Sequence, residues 1–425
     1  MVKKIGILLC ILALCGGMVF AGGEQEAGQA GSEKEITLNL WHIHGWETRR
    51  VPLENALKRF EAANPGVKVI PSHYENDPYK TKLKTVSGQD FPDVFHSWGG
   101  GWLKSFVDAG LVADITEASK SWADEVSPEA LAFNTYYDKV YGSPYIISGT
   151  YLYYNKEIFR KYGLDFPKTY DELMDVCETL KNNGIIPFAL GNKSKWPGAQ
   201  HFVHLSMRLG GPDIFQRALD GDVKFTDPAF IKAGQMLQDM VDKEYFPAGV
   251  NGINYDTGGS RMMFYTEKTA MILQTSGFLS NCKAENPDFY KTKLGVGMYP
   301  EIEGAPGKST DILSGENAFS VSASCEHKDI AAKLVGFLST DEQYQKDLVA
   351  GGTLGSRLGL ETEEPLLKTA MTILDNATYM QNYVDQTLNP ELAEKHKDTV
   401  QALFGKTMTP REAAEEMQKV YEATK

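Results

Sequence analysis

Two aromatic-rich turns hold the residues best suited to chemistry. One is His42-Ile43-His44-Gly45-Trp46-Glu47, and the other is Trp98-Gly99-Gly100-Gly101-Trp102. His-x-His is a metal-ligand spacing, but on an extended segment it needs further ligands, such as His73 or His96, supplied by folding. With no cysteine partner and no His-rich loop, no metal is expected. Glycines between a strand and a helix often cradle a phosphate. Walker spacing would put glycine at 103, where Leu103 stands, and the dinucleotide pattern fails at Lys104. GxSxG and HExxH are absent as well. Glu47 with Asp256 or Glu316 could be imagined flanking a glycosidic bond, but no motif supports it. The expectation is therefore a protein that is not an enzyme and needs no cofactor.

What remains is aromatic rings beside hydrogen-bonding groups at the ends of strands. Sugars ask for that combination, because their C–H faces pack on flat rings while their hydroxyls need amides, carboxylates and imidazoles. The first turn offers His44, Trp46 and Glu47 as a pocket wall, with a solvent-facing turn as the alternative. The second offers Trp98 over a side-chain-free floor of Gly99 and Gly100. Core packing is the alternative for both tryptophans, and Trp102 shares a helical face with Phe106. Tyr145 and Tyr151 surround a candidate hinge segment. Trp196 lies in a polar loop, with Gln200 and His201 following on a helix start. Tyr255 and Arg261, with Asn254 and Asp256 beside them, sit near glycines, where simple exposure competes with binding. Arg208 reads as part of a solvated helix face. Glu316 leads into a strand and could accept hydrogen bonds from hydroxyls or pair with a surface cation.

These residues need a scaffold, and the hydrophobic pattern supplies one. Strands are expected at Ile36 to Trp41, Val67 to Ile70 and Asp93 to Ser97, with helices at Val51 to Ala63 and Tyr79 to Ser87. Extended runs follow at Tyr141 to Ile147 and Gly149 to Tyr154. A helix capped by Thr169 runs to Asn182, then come a strand at Ile185 to Leu190, a loop to Gly198 and a helix over 199–209. Further helices are read at Asp227 to Lys243 and from Lys328 onward. Thr269 to Gln274, Leu294 to Pro300 and Asn317 to Val321 read as strands. Strands alternating with helices at this spacing indicate α/β lobes with largely parallel sheets.

The chain has 425 residues, 43 basic against 56 acidic, and a net charge of −13. That length argues for two domains, and the acidic balance argues against a nucleic-acid partner. Lys3 and Lys4 precede an apolar run from Ile5 to Ala21, the parts of a secretory signal over 1–21 with cleavage after Ala21. Cys15 in a lipobox-like stretch makes lipidation the alternative. Residues 22–35 read as a flexible tether. Cys177, Cys282 and Cys325 form no disulfide framework and read as buried thiols.

Taken in order, several segments resemble the family 1 extracellular solute-binding proteins of ABC sugar importers. They are FEAANPG (60–66), Pro92-Asp93-Val94 before the Trp/Gly turn, GLVAD (110–114), Tyr141 to Pro144, Tyr153 to Lys156, FYTEKTAM (264–271), Gly352 to Arg357 and TPREA (409–413). The resemblance implies a two-lobed periplasmic-binding-protein fold, type II-like, with a ligand cleft at the hinge. Lobe 1 is expected over 36–145 plus 297–316, and lobe 2 over 146–296 plus 317–425. It also implies an exported monomer that binds an oligosaccharide and hands it to a membrane permease, with another polar solute such as glycerol phosphate as the alternative. Phe278 stands at the turn where the family commonly places a stacking tryptophan, so it joins the candidate ligand contacts.

Overall fold

The computed structural model describes residues 35–86 and 90–425. The signal segment, the cleavage site, Cys15 and the tether up to 34 lie outside the described residues. Nine strands form one mixed sheet. They are β1 (Ile36–His42), β2 (Val67–His73), β3 (Val94–Ser97), β4 (Ser143–Asn155), β5 (Ile186–Phe188), β6 (Thr269–Thr275), β7 (Leu294–Gly297), β8 (Asp311–Val321) and β9 (Tyr379–Asn382). The order is β2-β1-β3-β8-β4-β6-β5, with β9 on β8 and β7 on β4. β1 pairs parallel with β2 and β3, and β5 with β6; the pairs involving β4, and β8 with β3, are antiparallel.

The helices that matter for function are α1 (Glu47–Ala63), α2 (Asn76–Thr85), α3 (Gly101–Asp108), α4 (Tyr170–Asn182), α5 (Trp196–Gly210), α6 (Pro228–Asp242), α7 (Gly259–Tyr265), α8 (Gly277–Glu285), α9 (Lys328–Thr340), α10 (Val384–Thr387), α11 (Pro390–Phe404) and α12 (Pro410–Thr424). Local chemistry sets several starts. Thr169 and Glu172 form a capping box on α4, as Thr409 and Glu412 do on α12, each satisfying two otherwise free N–H groups. α1 begins four residues before the apolar period does. Its first turn is polar and carries no hydrophobic signal, and Trp46 stands at its N-cap.

Two hydrophobic cores define the lobes. The first gathers Leu38, Leu53, Phe60, Val94 and Tyr145 with Phe319, Val335 and Leu348. The second gathers Leu152, Leu173, Phe188, Leu237, Met271 and Tyr299 with Val400 and Phe404. Residues 317–348 thus pack into the first core, and Tyr299 and Ile302 belong to the second. The stretches around 299–302 and 319–348 stand opposite to the expected assignment, whereas 400–413 pack with the second core as expected. The physical reason is β8, which pairs with β9 at Asp311 to Ser314 and with β3 at Ala318 to Val321, so the return crossing happens inside that strand.

β4 is the other crossing. Its front half pairs with β8 and its rear half with β6 and β7. The two extended runs read from sequence are this one 13-residue strand, and Gly149 in its middle is a close-approach site rather than a break. A Cβ there would come within 2.6 Å of Ile312 Cδ1. Cys177, Cys282 and Cys325 are free and buried.

Candidate functional site

The crossing strands and several helices enclose a cavity of about 240 Å³. Helix starts supply much of its wall, since Trp46 and Arg49 belong to the first turn of α1, Asn76 and Lys80 to α2, Trp196 and Gln200 to α5, and Gly277 and Asn281 to α8. The crossing strands form the floor through Ile146, Ser148, Leu313 and Asn317.

Arg261, on α7, lies against two aromatic rings. Its guanidinium lies 5.2 Å from the Trp46 ring and 4.8 Å from the Tyr255 ring, which favours the cation electrostatically. Its edge forks onto Glu285, with Nη2 2.7 Å from Oε1 and Nε 2.9 Å from Oε2. Trp196 stands edge-on to Tyr255 at 5.2 Å between ring centres. Four buried polar atoms on this wall have no hydrogen-bond partner among the described residues: Trp196 Nε1, Gln200 Oε1, Gln386 Oε1 and His396 Nε2. Desolvated polar groups left this way cost about 1–3 kcal/mol each, so the cavity is poised for a ligand with both donors and acceptors.

Trp98 also lines the cavity, at 5 % exposure. It packs edge-to-face on His96, Trp102 and Tyr79, and Lys80 Nζ sits 4.4 Å above its ring. Trp102 is buried beside Phe106 in the same cluster. Carboxylates complete the wall. Asp256 accepts from Ser194 Oγ at 2.7 Å, and burial foremost raises its pKa; Glu75 and Asp385 line the cavity without an ion pair among the described residues.

Six of the residues picked from sequence therefore meet at one cavity: Trp46, Trp98, Trp196, Gln200, Tyr255 and Arg261. The others stand elsewhere. His44 is buried behind the wall with its Nε2 2.8 Å from the Tyr145 hydroxyl, which is 2.9 Å from His96 Nδ1. Tyr151 donates to the Ala370 carbonyl at 2.8 Å. Glu47 points to solvent, 3.9 Å from Arg50. Phe278 is fully buried against Tyr153, Phe264 and Tyr265, and its turn offers the cavity Thr275, Ser276 and Gly277 instead.

Glu316 and the three glycines serve the frame. Gly99 N–H donates to Glu316 Oε1 at 2.5 Å, and Gly100 N–H to the Phe133 carbonyl at 2.8 Å. A Cβ on Gly100 or Gly101 would strike the backbone carbonyls of Gln386 or Leu388 at 2.7 and 2.6 Å. The glycines let α3 sit directly on α10. Burial pushes the Glu316 carboxyl up to about 8 against the opposing Gly99 N–H. Arg208, read as solvated, is completely buried and donates to the carbonyls of Tyr299, Pro300 and Asp311.

The profile of bacterial extracellular solute-binding proteins matches residues 46–345. The chain belongs to that family. Among other solute-binding proteins, it is 26% identical over 385 residues to the multiple sugar-binding protein of Streptococcus mutans, covering 87% of each chain. A solved structure from work on xylan utilization by Caldanaerobius polysaccharolyticus shares 32% identity, with a TM-score of 0.85 and coverage of 91% of this chain and 100% of that one. A chitin oligosaccharide binding protein shares 26% identity at a TM-score of 0.83, covering 92% and 99%. The cavity includes residues that sequence reasoning missed, chiefly Arg49, Lys80, Asn281, Tyr383 and His396. Asn76 and Lys80 are four apart on one helix, the spacing of a shared face, and that was the available signal. For His396, deep in α11, there was none.

Proposed function

We propose that this solute-binding protein captures a carbohydrate, an oligosaccharide, and presents it unchanged to the permease of an ABC importer on the outer face of the cytoplasmic membrane. One observation carries the reading. Trp46, Tyr255 and Trp196 bring flat rings to a cavity whose buried amide, indole and imidazole atoms await partners. The names of the relatives point the same way. The roles follow from position. Trp196 and Tyr255 offer faces or edges to sugar rings, Gln200 and Asn281 take hydroxyls, and Trp46 with Arg261 closes the mouth. Glu316, His44, Tyr145, Tyr151 and Phe278 hold these groups from behind. Closure of the two lobes around the ligand would expel water from it, and the protein would act as a monomer exported by its N-terminal segment.

Calorimetry of the purified protein against xylo-, chito- and malto-oligosaccharides tests this. Saturable binding of a sugar is expected, with the sugar recovered intact by chromatography. Hydrolysis of the bound sugar would overturn the transport reading, and silence across this panel and its uronic-acid and phosphate-bearing counterparts would overturn the carbohydrate reading. Trp196→Ala should weaken the tightest sugar at least tenfold, on the order of 1.4 kcal/mol, as expected for an aromatic anchor.

A further inference from the structure

The charges in the cavity are not all matched. Lys80 shares its surroundings with Asp385, and Asp256 feels both Lys80 and Arg261. Positive and negative groups offset one another there. Arg49 lines the same cavity without such a match. Its Nε donates to Thr353 Oγ1 at 3.1 Å, and it has no carboxylate partner among the described residues. The phenols of Tyr145, Tyr255 and Tyr344 also favour its charge.

Two helix starts reinforce that positive charge. Arg49 lies in the first turn of the 17-residue α1, whose N-cap, Trp46, offers no side-chain acceptor. It also abuts the start of the nine-residue α8, where a Cβ on Gly277 would come within 2.9 Å of Arg49 Nη2. Ser276, the N-cap of α8, makes no capping bond either. Helix N-termini carry partial positive charge and favour anions. Glu47, the one acidic residue in the first turn of α1, points away to solvent. Glu75 also stands near the α1 start, where its Oε1 would lie 3.8 Å from a Cβ on Gly45, but it makes no ion pair with Arg49, so the guanidinium keeps its fork free for an anion. Elsewhere two buried arginines find partners: Arg261 has Glu285, and Arg208 has three carbonyls. Gln200 and His396, each at least 95 % buried, add unpartnered atoms to the same cavity.

We infer that the ligand carries an anionic oxygen group, held by Arg49 at the starts of α1 and α8, while its neutral hydroxyls meet the aromatic rings and carboxylates. The inference rests on the carbohydrate reading and narrows it to acidic sugars. A uronic-acid carboxylate and a sugar phosphate share the chemistry. Arginine suits both, because its planar fork matches two anionic oxygens.

The test is calorimetry with matched pairs: cellobiose against cellobiouronic acid, xylotriose against its glucuronate-substituted form, and glucose against glucose 6-phosphate. Wild-type protein should bind an acidic member at least tenfold tighter than its neutral partner, with a preference that shrinks as salt rises. Arg49→Gln should abolish that preference, weakening the acidic member at least tenfold more than its neutral partner. Arg49→Lys, which keeps the charge but not the fork, should retain part of it. A carboxylate-only or a phosphate-only preference identifies which anion is read. Neutral sugars binding as tightly as acidic ones, or Arg49→Gln weakening both members equally, would overturn this inference and leave the carbohydrate reading standing. Glycerol 3-phosphate binding in place of every sugar would support the anion and overturn the carbohydrate. If no member binds, both fall.

Discussion

At the scale of single residues, the buried titratable groups pull stability in opposite directions with pH. Glu316, pushed up to about 8 by burial, keeps a proton in the folded state that the unfolded chain releases near pH 4.5. Stability is therefore greatest below that value and declines as pH rises towards 8, by about 1.4 kcal/mol per pH unit within the window. Glu316→Gln keeps the acceptor for Gly99 N–H, so urea midpoints between pH 5 and 8 should lose this slope; an unchanged slope would place the cause elsewhere. The histidines act from the acid side. Burial and the neighbouring His73 and Arg50 hold His42 down to about 4, and burial holds His44 and His96 well below the usual value. Their stabilisation is complete above pH 6.5 and is lost as pH falls from there. His42→Asn, which can still accept from the His44 N–H, should remove one proton's share of that loss in the same midpoints, measured from pH 6.5 to 4.

At the scale of elements, the decisive joint is α3 on α10. Gly101→Ala forces its methyl onto the carbonyls of Thr387 and Leu388, and the expected cost is about 1–3 kcal/mol, the range for overpacking. Circular-dichroism melts would check it, and an unshifted midpoint would mean that the two helices part freely. This joint also shows what the sequence could reveal. Strand, three glycines and helix were visible as local pattern, and so was Trp98 at the strand end. What the glycines touch was not, because Gln386 to Leu388 lie almost 300 positions away. The same limit explains the cavity. Trp46, Trp98, Trp196 and Tyr255 could be picked because bulky rings beside turns stand out locally. Arg49 could not, since a polar first turn looks like any solvated helix start until α8 is folded against it. Phe278 illustrates the converse: a plausible turn ring, drawn inward by Tyr153 and Phe264.

At the scale of the whole molecule, contacts reach across the cleft from α1 to the opposite wall. Thr48 Oγ1 and Ser280 Oγ are 2.8 Å apart, and Trp46 lies over Arg261. These contacts join α1 to α7 and α8, so removing the ring should tip the balance. Trp46→Ala is expected to raise the radius of gyration of the ligand-free protein in small-angle scattering and to restore the wild-type value at saturating sugar. No change in either state would remove Trp46 from closure. Bound ligand should in turn stabilise the native state by about 2.7 kcal/mol at a hundred times its dissociation constant.

The crossings have a consequence in time as well as in space. Neither core is built from one continuous stretch: the first needs residues 319–348 to join those before 146, and the second needs 400–413 to join those before 302. A chain emerging from its N-terminus cannot finish either half until most of it has been made. Such a delay suits a polypeptide that must cross a membrane before it folds. It also means that truncation ahead of residue 400 leaves the second half without its closing helix, whatever the length of chain retained.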